Sequence, residues 1–431
     1  MPNTLIIFSR FPVPGQTKTR LIPALGAEGA AQLQEAMTGH TVLNARVWAA
    51  SQGASITVRT TGAESKRFRH WLGADLPFID QGGGDLGKRM ARAVEEALNT
   101  GAKRVVIIGC DAPDLSPRHL DEAFAALESN DAVFGPAQDG GYYLVGLRAP
   151  NPMLFTGIEW GGGDVMERTR CVAEREGLRW AELETLHDVD HPEDLERWQR
   201  HVADERRSRV SVIIPTWNEA ERVACTVQRA LDGADEVIVA DAGSEDGTVE
   251  LAKGAGARVI LAAGGRGAQM NAGAVLARGE FLLFLHGDTR LPEGFADAVR
   301  GTLSDPQPVA GAFELGIDAA GWRYRLMEWG VRQRTRWASV PYGDQALFLR
   351  RDTFVRLGGF AQWPLLEDYE LVRRLRRRGK IRATGLAVTT SARRWRRLGV
   401  ARTLVTNQRI LLGHAMGVPV DRLARLYRGN N

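Results

Sequence analysis

Two acidic residues follow apolar runs, in positions suited to holding a metal ion. Asp288 follows the apolar run 281–285 after His286 and Gly287, and Asp111 follows directly after the strand-like run 104–110. Such runs predict buried strands, and ligands gather at the carboxyl ends of strands in an open α/β sheet. Carboxylates suit Mg²⁺ and Mn²⁺. The pattern predicts a metal site in each half, although a cap on the next turn explains Asp288 equally well.

Further charged residues of the first half extend this prediction. Asp139 begins a strand-like run and Asp190 lies in an acidic turn, so both are candidate metal ligands. Lys18 and Arg20 close a loop restrained by prolines, where their charges can neutralise a polyphosphate. Plainer explanations remain open: Lys18 and Arg20 as surface charge, and Asp190 as a cap for a helix predicted at 195–202.

The second half carries groups that suit nucleotide and proton chemistry. Arg266 begins a predicted helix after a glycine-rich loop, where its guanidinium can clamp diphosphate oxygens. Asp241 ends a predicted strand and can accept hydrogen bonds from a base or ribose. Glu367 and Asp368 precede a helix, where one carboxylate can act as a general base and the other as its support. Their plainer interpretation is that acids are favoured at a helix N-terminus.

Strands and helices that alternate along the chain must position these groups. Strands are predicted at 4–8, 56–59 and 77–80, and a long helix at 26–50. The fold class predicted is α/β, with mixed and mainly parallel sheets in two tandem domains. The polar segment 201–209 predicts a linker. We therefore predict one domain at 1–204 and a second at 205–431, which ends in a basic helical segment.

The composition narrows the class of protein. The chain has 431 residues, 44% of them hydrophobic, which suffices for two cores, and its formal net charge is +4. The three cysteines are far apart without a CxxC pair, which argues against a zinc site or a disulfide framework and favours the cytoplasm. We expect no signal peptide and no transmembrane helix. A Walker phosphate-binding motif is missing.

Five motifs of the first half resemble a bacterial family. They are FSRFPVPGQTKTRL, GGDLGKRM, IIGCDAPDLS, GPAQDGGYYLVGL and HDVDHPEDL. As a set they resemble the DUF2064 type of GT-A-like proteins, which are related distantly to guanylyl- and molybdopterin-type nucleotidyltransferases. The resemblance covers nearly all of 4–200. It implies a nucleotide-binding GT-A fold with Asp111 in the usual metal-binding position.

Six motifs of the second half resemble the inverting glycosyltransferases of family 2. They are IIPTWNE, ADAGSEDGT, GRGAQMNAG, LHGDT, GDQALFLRR and LEDYEL. Within that family the chain resembles most the branch labelled for arsenosugar biosynthesis. The resemblance implies that Asp241 contacts the nucleotide, that Asp288 binds the metal, and that Asp368 deprotonates the acceptor hydroxyl. The residues assigned to the donor site are Pro215, Asn218, Glu219, Asp241, Arg266 and Asn271.

Two motifs depart from the family 2 pattern. The usual Asp-x-Asp is His286-Gly287-Asp288 here, so an imidazole replaces one carboxylate, which suits Mn²⁺ better than Mg²⁺. QxxRW is missing, although the segment 391–395 places an arginine pair and a tryptophan in a comparable position. This departure argues against a processive synthase.

The sequence thus predicts a metal-dependent, inverting sugar transfer from a nucleotide-diphospho-sugar to the hydroxyl of a small or lipid-linked acceptor. The first half is then a nucleotide-binding partner domain. One alternative makes the first half a nucleotidyltransferase that produces the activated donor, with Lys18 and Arg20 on the triphosphate. A second alternative is a non-catalytic protein whose basic segment 373–397 binds anionic lipid or nucleic acid. We expect no nucleic-acid partner, whereas peripheral membrane contact is compatible with the sequence.

Overall fold

The computed structural model of this chain describes residues 3–196, 198, 209–338 and 340–429. The backbone forms two compact units, Met1–Ala203 with Val355–Gly359 and Asp204–Phe354 with Phe360–Asn431. We call them the N-terminal unit and the C-terminal unit. The predicted linker lies outside the described residues except for Arg209, and the predicted boundary after residue 204 remains a prediction. The helix predicted at 195–202 is described only at residues 195, 196 and 198.

A mixed, mainly parallel sheet forms the centre of the N-terminal unit. Its described strands are β1 (Asn3–Arg10), β2 (Ser55–Thr61), β3 (Phe78–Asp80), β4 (Arg104–Ile108), β5 (Ala132–Pro136), β6 (Tyr142–Leu147) and β7 (Trp180–Glu182). They lie in the order β3-β2-β1-β4-β6-β5-β7, and β6 runs antiparallel to both of its neighbours. The strands predicted at 4–8, 56–59 and 77–80 correspond to β1, β2 and β3.

Helices cover this sheet. Those described are α1 (Ile22–Gln52), α2 (Ser65–Leu72), α3 (Leu86–Asn99), α4 (Pro117–Ala126) and α5 (Val165–Arg175). The helix predicted at 26–50 corresponds to α1, which begins earlier, at Ile22. Gly26 interrupts its first turns with a φ of 71°, a backbone conformation that glycine adopts without a side-chain clash.

A second mixed sheet forms the centre of the C-terminal unit. Its described strands are β8 (Val210–Thr216), β9 (Glu236–Asp241), β10 (Arg258–Leu261), β11 (Phe281–Phe284), β12 (Thr289–Arg290), β13 (Pro308–Asp318), β14 (Phe348–Arg350) and β15 (Lys380–Ser391). The order is β10-β9-β8-β11-β14-β13-β15-β12, with β10, β9, β8 and β11 parallel to one another. β11 is antiparallel to β14. The predicted fold class is therefore confirmed for both units.

From Ala220 onward the described chain contains ten α-helices, nine within the C-terminal unit and one whose last two residues, Val355 and Arg356, belong to the N-terminal unit. They are α6 (Ala220–Leu231), α7 (Thr248–Gly254), α8 (Arg266–Leu276), α9 (Phe295–Ser304), α10 (Trp322–Ala338), α11 (Arg351–Arg356), α12 (Glu367–Arg376), α13 (Arg393–Leu398), α14 (Val400–Ala415) and α15 (Val420–Gly429). In the described part of the chain, every helix is too short or too polar to cross a membrane.

β11 lies in the middle of the C-terminal sheet and its residues are core residues. Each side chain from Phe281 to Leu285 is at most 3% exposed. Burying one such Leu or Phe contributes about 1.5–3 kcal/mol to stability. The strand is therefore a firmly packed base for the residues that follow it, His286 to Asp288.

Candidate active site

A cavity of about 600 Å³ lies at the edge of the C-terminal sheet where the parallel strands β8, β9 and β11 end. His286 and Asp288 line it from the segment after β11. Arg266, the first residue of α8, and Asp368, in the first turn of α12, line it from the opposite elements. The structure thus brings together four residues that are separated by up to about a hundred positions in sequence.

Asp288 borders this cavity and a second one of about 710 Å³. Its main-chain oxygen accepts a hydrogen bond of 3.2 Å from the Ser391 amide, which joins the segment after β11 to the end of β15. Its Oδ1 has a long contact of 3.5 Å with the Thr289 hydroxyl. A carboxylate has about four lone-pair sites, so most of this one remains available to a ligand.

His286 faces an arginine. Its Nε2 lies 3.4 Å from Arg266 Nη1. Burial lowers the pKa of His286 to about 3, and the neighbouring Arg266 charge acts in the same direction. The imidazole is therefore neutral at neutral pH and can accept a hydrogen bond from Arg266 or donate its lone pair to a metal.

Arg266 is held by Glu367 rather than by Asp368. Its Nε lies 2.9 Å from Glu367 Oε1, and the Glu367 side chain is only 3% exposed. The Glu367 charge raises the pKa of Arg266, while burial raises the pKa of Glu367 against the opposing effect of Arg266. The predicted support carboxylate thus orients the guanidinium, and the terminal nitrogens stay on the cavity side of the pair.

Asp368 is positioned by two main-chain amides. The Gly343 amide donates to its Oδ2 at 2.6 Å, and the Tyr369 amide donates to its Oδ1 at 2.7 Å. Leu366, the residue before α12, has a φ of 66°, which turns the chain sharply into the helix. Each carboxylate oxygen keeps a lone pair, so the group can accept a proton from a hydroxyl in the cavity.

Asp344 is a further cavity residue that the sequence interpretation did not single out. It lies in the 3₁₀ turn Gly343–Gln345, and its buried Oδ1 has no hydrogen-bond partner among the described residues. Burial raises the pKa of Asp344 to about 6, although Arg334 opposes the shift. The signal available in the sequence was the position of this acid in the GDQALFLRR motif. An unpartnered buried carboxylate oxygen in a cavity is a candidate contact for a hydroxyl or a cation.

Asp241, the predicted nucleotide contact, orders a turn in this structure. It accepts hydrogen bonds from the Thr216 hydroxyl, the Gly243 amide, and both the amide and hydroxyl of Ser244, at 2.6–2.9 Å. These four donors occupy about all of its lone-pair sites. Burial alone would raise its pKa, but the bonds from Ser244 hold the pKa below its usual value. A ligand that contacts Asp241 directly must therefore replace one of these donors.

The other residues assigned to the donor site fall into two groups. Pro215 and Glu219 line the cavity, and Glu219 Oε1 pairs with Arg393 Nη2 at 2.9 Å. Asn218 accepts from the Glu245 amide at 3.2 Å, which fastens the segment after β8 to the turn after β9. Asn271 is fully buried, and its amide exchanges two hydrogen bonds with the Phe360 main chain at 2.8 and 2.9 Å. Asn271 therefore braces α8 in the present structure.

In the N-terminal unit, Lys18 lies between two of the predicted metal ligands. Its ammonium is 2.6 Å from Asp111 Oδ1, 2.7 Å from Asp190 Oδ1 and 2.8 Å from the Val189 oxygen. Burial alone would lower the pKa of Lys18, but the charges of Asp111 and Asp190 raise it above its usual value. Three acceptors satisfy the three ammonium hydrogens. A divalent ion between Asp111 and Asp190 requires Lys18 to move.

The structure places the remaining predicted residues of this unit around the same edge. Arg20 Nη1 is 3.8 Å from Asp190 Oδ2, and both residues line a cavity of about 370 Å³. Asp139 accepts from the Gly141 amide at 2.8 Å and borders a separate cavity of about 390 Å³ together with Asp188. Burial, and secondarily the Asp139 charge, raises the pKa of Asp188 to about 6.

The two edges differ in how well they suit a divalent ion. In the part of the chain that the structure describes, no group of three or more His, Cys, Asp or Glu side chains is arranged to hold a metal. Mg²⁺ in nucleotide enzymes commonly uses one or two carboxylates and completes its shell with phosphates and water. Asp288, with most of its lone pairs available, fits that role, whereas Asp111 and Asp190 already hold the Lys18 ammonium.

The strand order and the edge cavity define a class of protein. Both units have the mixed, mainly parallel α/β sheet of the GT-A fold, which is the fold of nucleotide-diphospho-sugar transferases. Residues 44–162 match the family described as "Uncharacterized protein conserved in bacteria (DUF2064)", and residues 211–362 match glycosyl transferase family 2. The two matches lie one in each half of the chain, and the predicted fusion of a DUF2064-type domain with a family 2 glycosyltransferase domain is confirmed.

Two curated relatives and one solved structure are similar to parts of the chain. Glycosyltransferase AglJ of Haloferax volcanii is 34% identical over 116 residues, and the match covers 23% of this chain and 38% of AglJ. Phosphoenolpyruvate guanylyltransferase of Chloroflexus aggregans is 26% identical over 172 residues, which are 39% of this chain and 77% of the relative. The solved structure of a proposed nucleotide-diphospho-sugar transferase from Desulfovibrio desulfuricans G20 is 32% identical in sequence, with a TM-score of 0.43. The match covers 47% of this chain and 89% of the solved chain.

Proposed function

We propose that the C-terminal unit transfers a sugar from a nucleotide-diphospho-sugar to an acceptor hydroxyl, with inversion at the anomeric carbon. The observation that carries the proposal is the shared cavity of Arg266, Asp288 and Asp368 at the carboxyl ends of the parallel strands. The match of residues 211–362 to glycosyl transferase family 2 supports the same reaction class.

The donor diphosphate lies between Asp288 and Arg266 in this proposal. Glu367 fixes Arg266 through Nε, so the terminal guanidinium nitrogens can donate to phosphate oxygens. Asp288 would hold a divalent ion, Mg²⁺ or Mn²⁺, and such an ion supplies charge stabilisation of the departing diphosphate. His286 is the additional ligand proposed for Mn²⁺.

Asp368 is the proposed general base. Its two main-chain donors fix the carboxylate, and the remaining lone pairs receive the acceptor proton as the hydroxyl attacks the anomeric carbon. The hydroxyl attacks the anomeric carbon on the face opposite the departing nucleoside diphosphate. The new bond to the acceptor oxygen therefore forms on one face while the bond to the diphosphate breaks on the other. The sugar is therefore delivered with inverted configuration.

The stereochemical outcome tests this mechanism. With an α-linked nucleotide sugar as donor, ¹H NMR of the first product formed should show a β-configured anomeric proton. An α-configured product would exclude a single inverting displacement by the acceptor hydroxyl with Asp368 as its base, and would require a different assignment of the carboxylates.

A second candidate function concerns the N-terminal unit, and the cationic cavity at the end of β1 favours it. Lys18, Arg20 and Arg89 line this cavity, and a nucleoside triphosphate is the anion that such a site suits. The similarity to a guanylyltransferase points to transfer of a nucleotidyl group with release of pyrophosphate. We expect the chain to release pyrophosphate from a nucleoside triphosphate in the presence of a phosphorylated substrate. Arg20→Ala should lose this release, and Asp368→Asn should retain it. Release that depends on Asp368 would exclude this assignment.

A further inference from the structure

One helix of the C-terminal unit exposes an apolar stripe. Trp322, Leu326 and Trp329 of α10 are 70%, 58% and 58% exposed. Their spacing places them on the same face of the helix. The opposite face packs inward, where Met327 joins a cluster with Leu315. The three exposed side chains of the stripe therefore do not contribute to the core of this unit.

Arginines border this stripe. Arg323 is exposed, and its guanidinium lies 5.7 Å from the centre of the Trp322 ring. On the other side Arg325 is 61% exposed, although it pairs with the nearly buried Glu328 at 2.7 Å. Tryptophan and leucine flanked by arginine are the residues of helices that lie in the interface of a lipid bilayer.

A second basic helix packs against the same hydrophobic cluster. Trp395 of α13 packs against the cluster that contains Met327, so α13 and α10 cover the same cluster. Arg396 and Arg397 of α13 are exposed. The sequence from 371 to 420 contains no Asp or Glu that would offset this charge. The exposed arginines of α10 and α13 suit an anionic surface.

We propose that the C-terminal unit docks on an anionic lipid surface through the stripe of Trp322, Leu326 and Trp329, with the arginines of α10 and α13 facing the headgroups. The stripe inserts its indoles and leucine at the headgroup level, and the arginines attract anionic lipids. The occupant is a bilayer surface rather than a protein groove, because two tryptophans and a leucine share an exposed helix face that Arg323 and Arg325 border.

The inner face of α10 connects this docking surface to the cavity. Arg334 donates to Gln345 Oε1 at 3.1 Å, and its guanidinium lies 3.7 Å from the centre of the Tyr342 ring. Tyr342 lines the cavity. Docking through α10 therefore holds one wall of the cavity next to the lipid surface. The acceptor class that follows is a hydroxyl carried by a lipid. This assignment of the acceptor rests on the proposed sugar transfer, whereas the docking does not.

Vesicle flotation of the full chain, without any donor, tests the docking separately from the transferase activity. The probes are phosphatidylcholine vesicles with and without about 30% phosphatidylglycerol, at low and high salt. The stripe variant combines Trp322→Ser, Leu326→Ser and Trp329→Ser. The matched control combines Leu231→Ser, Leu251→Ser and Leu261→Ser, which are also exposed residues of the C-terminal unit, at 38%, 44% and 77%.

We expect the wild-type chain and the control to bind the anionic vesicles in a salt-sensitive manner, and the stripe variant to bind at least about tenfold more weakly. Equal binding by the stripe variant, equal binding to neutral vesicles, or no vesicle binding by the wild type would each overturn the proposal. Light scattering provides a further check. A dimer that only the stripe variant loses, with vesicle binding unchanged, would assign the face to a second copy of the chain and also overturn it.

Discussion

Asp368 receives one main-chain hydrogen bond at each carboxylate oxygen. These two bonds hold the side chain in place, so a substitution that removes only its charge tests the proton transfer. Asp368→Asn keeps the shape of the side chain but cannot take up the acceptor proton, so we expect transfer to fall by about 10²–10⁴-fold. One of the two amide donors also loses its acceptor, which costs about 1–3 kcal/mol of stability. Initial rates measure the loss of transfer, and thermal unfolding measures the loss of stability. A variant with unchanged turnover would remove Asp368 from the role of base.

Asp344 predicts an unusual dependence of stability on pH. Burial raises its pKa in the folded chain from 3.8 to about 6, so the folded state holds this proton more tightly than the unfolded state. The contribution of Asp344 to stability is full below pH 3.8 and is lost as the pH rises through about 6. Asp344→Asn should therefore raise the thermal midpoint above pH 6 and have little effect near pH 4. Equal midpoint changes at both pH values would contradict the assigned shift.

The sequence indicated several site residues by type and position but not by partner. Asp288 and Asp368 could be proposed because an acid after a buried strand and an acid at a helix start suit known chemistry, and the structure places both at one cavity. The Lys18 ammonium between Asp111 and Asp190 was not recognisable, because Lys18 and Asp190 are far apart in sequence. Asp344 was missed for the same reason, since its burial depends on elements distant in sequence. Roles based on tertiary partners cannot be derived from local patterns.

The turn before β14 positions Asp368, and a single methyl group there should disturb it. A Cβ at Gly343 would lie 2.8 Å from Asp368 Oδ2 and 3.1 Å from His286 Nε2. We expect Gly343→Ala to lower the turnover number clearly, because the added methyl group crowds the Asp368 carboxylate and, less closely, the His286 imidazole. Gly301→Ala in α9 is the matched control, since a Cβ there has no neighbour within 4 Å. Equal rates in the two variants would contradict the positioning role of the turn.

Element types were predictable where the apolar pattern was strong, and less so where the backbone bends. The runs at 4–8 and 281–285 form the central strands β1 and β11, because buried strands are continuous apolar segments. The predicted start of the long helix at about residue 26 coincides with the break at Gly26, and the sequence pattern did not indicate the short helical segment that precedes it from Ile22. Leu366 adopts a positive φ next to the site, and no local signal marks a leucine for that conformation.

At the scale of the whole molecule, the two units share one fold but differ in the partners of the acidic residues that follow equivalent strands. In the C-terminal unit the Asp288 carboxylate makes one long contact with a hydroxyl, whereas in the N-terminal unit the Lys18 ammonium already pairs with Asp111 and Asp190. The composition and motifs predicted two domains of this class. They did not predict this difference, which depends on whether the side chain of Lys18 reaches the acids at the sheet edge.

The difference predicts that only one of the two edges supports metal-assisted donor binding. Asp288→Asn should abolish the gain in nucleotide-sugar affinity that Mn²⁺ provides, because it removes the ligand proposed to link ion and protein. Asp111→Asn, the equivalent change in the N-terminal unit, should leave that gain intact.

Calorimetric titration of the full chain with a panel of nucleotide-diphospho-sugars, with and without Mn²⁺, tests the central claim most directly. The account predicts that at least one nucleotide sugar binds more tightly with Mn²⁺, and that this gain survives Asp111→Asn but not Asp288→Asn. A wild-type chain that binds none of the panel, or a gain that survives Asp288→Asn and disappears in Asp111→Asn, would contradict the claim that the C-terminal unit is the sugar-transferring site.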